Sequence, residues 1–396
     1  MSGREPAPAL RVLVDATAIP ANRGGVGRYV DSVIPLLARD GIDVVVVCQQ
    51  RDRTYFEASG VGSVVTAPAW AERTALRFVW EQTGLVRLAR AAGAAVIHSP
   101  HYTFPVFTRA ARVVTVHDLT FFTDPAVHGR VKRLFFRGWI RAAALAHVTV
   151  VTPSVATANE FTRITRARSA RVFAAPLGYD QNVFHLPTAD DIAAFQKTLD
   201  PQPVSWIAFL GTLEPRKNVS ALVRGYVEAV SAHAPADRPA LLLAGGPGWD
   251  SSVADTVAAA VASGFDVRTL GYLPLDDLRS LLGGSLLTAY PSLGEGFGLP
   301  VLEAMASGSC VLTTRRLSLP EVGGDAVSYC DVDPGSIGRA LAALLDDPAE
   351  RRRLARAGAA RAEGFTWQAC ADRHAVAYRA AGHPSTQLTT EKKGPR

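Results

Sequence analysis

The chain has 396 residues, 48% of them apolar and 20% charged, with a formal net charge of +6. That length suits two domains of ordinary size, and the composition excludes fibrous and disordered classes. No run approaches the ~18 apolar residues of a membrane-spanning helix. Met1-Ser2-Gly3-Arg4-Glu5-Pro6 lacks the apolar stretch of a secretory leader, so a cytoplasmic protein is expected, at most peripheral to a membrane.

Charge is unevenly spread: residues 1–190 carry 22 Lys/Arg against 14 Asp/Glu, and the remainder 20 against 22. A basic first half suits an anionic partner such as a phospholipid surface or a lipid-phosphate acceptor, although well solvated faces give the same count. Cys48, Cys310, Cys330 and Cys370 stand far apart, with no Cys-x-x-Cys and no His at metal-ligand spacing. They read as small buried hydrophobes, not as staples or a zinc site.

In the first half, Leu10–Val14, Val44–Cys48, Ala94–His98, Val113–His117 and Val148–Thr152 are short apolar runs of the buried parallel-strand type. Gly24-Gly25-Val26-Gly27 opens a helix to Arg39, and glycines there let backbone approach a phosphate closely. A dinucleotide site is the rival reading, but the G-x-G-x-x-G spacing is missing and the second strand ends at Gln49-Gln50 without an acid for a ribose. His98 and His101 flank Ser99-Pro100 at a strand end, followed by Tyr102, and His117-Asp118 closes another strand. Each is structural as readily as functional. Arg130 to His147 mixes five basic residues with Leu134, Phe135, Phe136, Trp139 and Ile140. It reads as a core stripe under a solvated basic face, or as a helix on an anionic membrane. Gly138 favours the core reading by weakening a free-standing helix.

Leu186 to Pro203, rich in proline, separates this set from a second one. The strands there are Trp206–Leu210, Ala240–Leu243, Val267–Leu270, Leu286–Tyr290 and Cys310–Thr313, with helices Val219–Ala232, Leu275–Leu282 and Val301–Ala306. The rhythm implies α/β architecture with doubly wound parallel sheets, whose ligands lie at the strands' carboxyl ends. Arg216-Lys217 follows the first of these strands, a forked guanidinium and an ammonium suited to a growing phosphate charge. As an isolated pair they would read as solvated surface. Gly245-Gly246 and Gly271-Tyr272-Leu273 are later strand-end loops.

Pro291 to Ala306 is the most informative run. Pro300 suits a first helical turn, which leaves the amides of Phe297, Gly298 and Leu299 as an anion site. Glu295 and Glu303, eight positions apart, cannot share one proton; hydroxyls of a nucleotide sugar would give Glu295 the hexose and Glu303 the ribose. A helix over 365–381 and a polar, disordered tail over 382–396 complete the chain.

The Glu…Glu pair with "AMASG" at Ala304–Gly308 resembles the signature of family 4 of the retaining glycosyltransferases. Matching blocks occur in the same order: "GGVGRY" at Gly24–Tyr29, "HSPHY" at His98–Tyr102, "VHDL" at Val116–Leu119 and "PLGYD" at Pro176–Asp180. "GTLEPRKN" at Gly211–Asn218, "LAGG" at Leu243–Gly246 and "LPEVGGDA" at Leu319–Ala326 follow. Ser309-Cys310 departs from the small residue and proline that many relatives carry there.

The resemblance implies a GT-B fold, two Rossmann-like domains facing a central cleft: an acceptor-side domain over 1–190, a nucleotide-sugar domain over 191–364, and a helix over 365–381 crossing back. It implies His117, Arg216, Lys217 and Glu295 as catalytic residues. Gly24, Gly25, Gly245, Gly246, Tyr272, Leu273, Phe297, Gly298, Leu299 and Glu303 would bind the donor, and His98, His101, Tyr102 and Asp118 the acceptor. The subgroup looks mannosyltransferase-like, with GDP-mannose as donor and a glycan, lipid-linked saccharide or small glycoside as acceptor. UDP- or dTDP-sugars stay open, as does a silent nucleotide-sugar-binding partner subunit. No cofactor, metal or nucleic acid is expected, with Arg216, Lys217 and the helix N-terminus in the place of a metal on the diphosphate.

Overall fold

The structure, a computed structural model, describes residues 10–21, 23–123, 125 and 129–382. The first sheet contains β1 (Arg11–Asp15), β2 (Asp43–Cys48), β3 (Ser63–Thr66), β4 (Val96–Ser99), β5 (Ala111–Thr115), β6 (Thr149–Thr152) and β7 (Val172–Ala174). The second contains β8 (Trp206–Leu210), β9 (Ala240–Ala244), β10 (Val267–Gly271), β11 (Leu287–Tyr290), β12 (Val311–Thr314) and β13 (Ser328–Cys330). Their orders are β3-β2-β1-β4-β5-β6-β7 and β10-β9-β8-β11-β12-β13. The pairings are parallel throughout.

Both faces of the first sheet are covered, which explains the unbroken apolar strand runs. Val12, Val14, Val44 and Val46 join one hydrophobic cluster with Tyr29 and Val33, whereas Leu13, Val45 and Val47 join another with Trp80 and Leu85. Alternate side chains go to opposite faces, so successive strand positions are apolar. The helix Gly24–Arg39 buries Tyr29, Val30, Val33, Ile34 and Leu37, a stripe of helical period. β3, β7 and β13 were not expected. All three lie at sheet edges, and β3 and β7 are only half-buried, which removes the apolar signal.

The linker expected between the two sets contains a helix, Ala189–Lys197, closed by a capping box between Thr188 and Asp191. Its Phe195 packs against Trp206 of β8. The last helix, Trp367–Gly382, packs on Gly24–Arg39 and on the first sheet. Gly382 therefore ends a helix, and the rest of the expected tail lies outside the described residues. The departure at Ser309-Cys310 is accommodated: Ser309 Oγ bonds Thr288 Oγ1 at 2.8 Å and β12 starts one residue later at Val311.

The helix Arg130–Leu145 resolves its two readings into two faces. Ile140 and Ala143 are buried and Phe136 and Trp139 pack on the same cluster, whereas Val131, Leu134 and Leu145 are exposed.

Gly225 lies where the helices Val219–Val230 and Pro334–Asp346 cross, and a Cβ there would stand 2.8 Å from the Pro334 carbonyl and 3.0 Å from the Gly338 nitrogen. Gly225→Ala should cost about 1–3 kcal/mol in urea unfolding through overpacking. Gly138→Ala, whose Cβ meets nothing within 4 Å, should instead add about 0.5–1 kcal/mol.

Candidate functional site

A cavity of about 460 Å³ lies between the two sheets at their carboxyl ends. Its lining includes all four residues expected to be catalytic and all ten expected to hold the donor. Of the four expected to meet the acceptor, only Asp118 lines it.

Glu295 is the centre of the site. Its Oε1 accepts from Lys217 Nζ at 2.7 Å, Tyr290 OH at 2.9 Å and Ser292 Oγ at 2.7 Å, while Oε2 pairs with Arg216 Nη1. Burial alone would raise this carboxyl, but Arg216 and Lys217 overcome it and hold it at about 2. Glu295 is therefore an anion at any ordinary pH. Arg216 reaches Glu214 as well, at 2.6 Å, and its own pKa is pushed well above its usual value: burial opposes this, but Glu295 and Glu214 prevail. Lys217 is lowered by burial, an effect that Glu295 only partly offsets. Asn218, in the left-handed region at φ +60, turns the chain into the next helix and donates from Nδ2 to the Val332 and Pro291 carbonyls. That turn fixes the direction of the two preceding cations.

Glu303, buried in the helix Leu299–Ala306, pairs through Oε1 with Arg28 of the opposite unit, and its Oε2 has no partner. Burial raises its pKa and Arg28 opposes the rise. Arg28 was missed as a site residue although it stands inside the quoted Gly24–Tyr29 block; its helical spacing from Gly24 and Gly25 was the available signal.

His117 is neutral: burial lowers its pKa, with partial opposition from a 2.8 Å hydrogen bond that Nε2–H donates to the Pro100 carbonyl. Its own carbonyl packs so closely on Gly296 that a Cβ there would stand 1.7 Å from the oxygen. The Gly296 carbonyl in turn accepts from Ser154 Oγ at 2.7 Å and Thr157 Oγ1 at 3.0 Å. Asp118 caps the next short helix through Thr120 N and Oγ1.

His98, expected at the acceptor, does not line the cavity, and both its ring nitrogens are spent in a buried relay. Tyr378 OH donates to His98 Nδ1 at 2.8 Å, and His98 Nε2 donates to Thr115 Oγ1 at 2.9 Å. Thr115 donates to Tyr29 OH at 2.9 Å, and Tyr29 donates to His374 Nε2 at 2.6 Å. His374 Nδ1 donates to the Cys370 carbonyl at 2.8 Å, which fixes the direction of every bond. Burial holds His98 well below its usual value and His374 at about 4, so both rings are neutral, as the relay requires. Tyr29 sets its ring edge-on against His117, 5.3 Å between centroids. Tyr102 packs on Phe121 and Phe136 with its hydroxyl near Asp118 N at 3.3 Å, and His101 faces Asp15.

Two family models match the chain: Glycosyltransferase Family 4 over residues 23–183 and Glycosyl transferases group 1 over 190–361. The O-antigen chain mannosyltransferase B of Escherichia coli is 29% identical over 289 residues, covering 72% of this chain and 74% of that protein. The MMP alpha-(1->4)-mannosyltransferase of Mycolicibacterium hassiacum is 40% identical over 122 residues, 29% of each. Among solved structures, Anabaena Alr3699/HepE in complex with UDP and glucose superposes with TM-score 0.73 at 16% identity, over 94% of this chain and all of that one. WaaG, a glycosyltransferase involved in lipopolysaccharide biosynthesis, gives 0.65 at 14%, over 96% and 100%. The shared fold is GT-B.

Glu295 ionises more readily folded than unfolded, so its contribution to stability is full above its ordinary value of 4.5 and is lost as pH falls toward about 2. Urea midpoints measured across pH 6 to 2 should fall through that window in the wild type. Glu295→Gln should be less stable at pH 7, with Glu214 left as the one carboxylate beside both cations, and should lack that part of the slope.

Proposed function

Because the chain belongs to the glycosyltransferases, with a family 4 module followed by a group 1 module, we propose that it moves a hexose from a nucleoside-diphosphate sugar to an acceptor hydroxyl with the anomeric configuration retained. The observation that carries this reading is the Arg216–Lys217 pair, fixed on buried Glu295 at the edge of a cavity with room for a nucleotide sugar. The donor diphosphate lies against the two cations and the N-terminus of the helix Leu299–Ala306, and the loop at Gly24-Gly25 covers it. As the bond to the sugar breaks, the leaving diphosphate gains charge, and preoriented cations stabilise that charge without reorganising. No metal is needed on the diphosphate in this scheme. The unpartnered Oε2 of Glu303 takes a ribose hydroxyl. The base rests between Gly245-Gly246 and Tyr272-Leu273.

Retention through a covalent intermediate needs a free carboxylate at the anomeric carbon. Glu295 is a poor nucleophile, since two cations and two hydroxyls share its charge. A same-face attack follows, in which the acceptor oxygen bonds to the anomeric carbon as the phosphate oxygen leaves and takes the acceptor's proton. Glu295 then serves mainly to aim Arg216 and Lys217, and a sugar hydroxyl would share Oε2 with Arg216. His117 backs the sugar. The relatives' mannosyltransferase names support GDP-mannose as the donor.

For the acceptor we favour a lipid-linked saccharide in contact with an anionic membrane. Val131, Leu134 and Phe135 are exposed on the same helix as the exposed Arg130, Lys132 and Arg141, a mixed apolar and basic surface of the kind that docks on anionic lipid. None of the helices among the described residues is long and apolar enough to cross a membrane.

GDP-mannose should be hydrolysed or transferred in the presence of EDTA, faster than UDP- or dTDP-sugars, with an α-linked product by proton NMR. Arg216→Ala and Lys217→Ala should each lower turnover by about 10²–10³. A β-linked product would sink the retaining reading, and no melting shift with any nucleotide on folded protein would sink the donor site. Separately, the chain should sediment with vesicles containing phosphatidylglycerol but not with neutral ones, and a Leu134→Ser, Phe135→Ser variant should remain in the supernatant; equal sedimentation of both would refute the membrane contact.

A further inference from the structure

Each sheet has one point at which the strand order reverses: between β8 and β11 in the second, and between β1 and β4 in the first. Crossovers run to opposite faces there and leave a crevice at the carboxyl ends. In the second sheet that crevice holds the Glu295 cluster. In the first it holds Asp15, the last residue of β1, and His101, two residues beyond β4; Glu81 reaches in from the helix Thr74–Ala91. None of these three lines the cleft cavity.

Asp15 is fully buried. Its Oδ1 accepts from Thr17 N at 3.1 Å and Thr17 Oγ1 at 2.6 Å, and Oδ2 has no partner. His101 Nε2, 3.9 Å from that oxygen, is also buried without a partner. The Thr103 hydroxyl bonds Glu81 Oε2 at 2.7 Å and His101 Nδ1 at 2.9 Å, and the Thr103 amide donates to the same Nδ1 at 3.4 Å. Asp15 Oδ2 and His101 Nε2 are left facing each other, buried and without a hydrogen bond between them, and a bound cation would take a lone pair from each. One ligand atom from each of Asp15, Glu81 and His101 lies within 4.8 Å of the others, a spacing that one ion bonded at about 2.0–2.2 Å to each could close with small side-chain rotations.

We propose that Asp15, Glu81 and His101 bind one zinc-class divalent cation at the switch point of the first sheet, tying β1 and the segment after β4 to the helix Thr74–Ala91. An imidazole with two carboxylates is a donor set for zinc and its neighbours; magnesium prefers oxygen donors and keeps its water. Thr103 acts as the supporting shell, since one hydroxyl orients both Glu81 and His101. Arg77, one helical turn before Glu81, opposes the bound charge. The cation is independent of the donor diphosphate, whose charge meets Arg216 and Lys217.

The test is zinc content of the full chain, incubated with zinc, desalted and measured by mass spectrometry, with affinity from competition against a chromophoric chelator. One zinc per chain is expected, undiminished by millimolar magnesium. Asp15→Asn and His101→Asn should each abolish retention, Thr103→Val should weaken it about 10–100-fold, and Arg77→Gln should tighten it. His101 is partly exposed, so its variant stays informative if Asp15→Asn does not fold. Folded wild-type protein that retains no zinc would overturn the proposal, as would zinc undiminished in His101→Asn or weakened in Arg77→Gln. The readout is metal content alone, so its failure is separable from failure of glycosyl transfer.

Discussion

The structure depends most on a carboxylate buried between two cations. Taking Glu295 out of water is costly, and only close partners on both oxygens offset that cost. Arg216 and Lys217 come from the loop after β8, and Glu295 from the loop after β11. The two segments are 78 or 79 residues apart in sequence and meet because β8 and β11 are hydrogen-bonded neighbours. The cluster therefore records the sheet order as much as the chemistry. It forms only when that sheet is correctly assembled, and once formed it fixes the direction of both cations.

A second constraint joins the units on either side of the cleft. The last helix returns to the first sheet, and its His374 and Tyr378 close the relay through Tyr29, Thr115 and His98. Every donor in that relay finds an acceptor only if both imidazoles are neutral, which is what burial enforces. The relay lies directly beneath His117 through the ring of Tyr29. Glu321 adds a further tie, accepting from the amides of Val155 and Ala156 at 2.9 and 3.1 Å, the exposed start of a helix in the first unit. Directional polar contacts thus span the cleft beside the apolar core that the two units share.

Central strands were legible in the sequence because both their faces are buried, so Val44–Cys48 or Ala240–Leu243 could be little else. The edge strands β3, β7 and β13 were not, since an edge residue need satisfy only one neighbour and mixes polar with apolar. The helix Ala189–Lys197 was hidden by the prolines around it, although Thr188 and Asp191 spell a capping box. In the site, residues inside distinctive loops (Glu295, Arg216, Gly245) could be named because glycine and charge have few structural uses there. His98 could not be resolved: a histidine at a strand end looks the same whether it faces a ligand or two hydroxyls. Arg28 and Asp15 were silent for a related reason, since each matters only through a partner far away in sequence, Glu303 in one case and His101 in the other.

Arg28 and Glu303 also bear on how the cleft works. The pair crosses between the two units, and one oxygen of Glu303 is held by Arg28 while the other is buried and unpartnered. A ribose hydroxyl donating to that second oxygen would add to the ion pair without breaking it, leaving the guanidinium beside the phosphates. A charged group that must be desolvated on its own resists closure; a carboxylate already carrying its cation does not. The ion pair holds the two units together at the cleft. In the proposed donor pose a nucleotide would supply the one missing hydrogen bond to Glu303, so the contact that selects it would also favour this arrangement of the units.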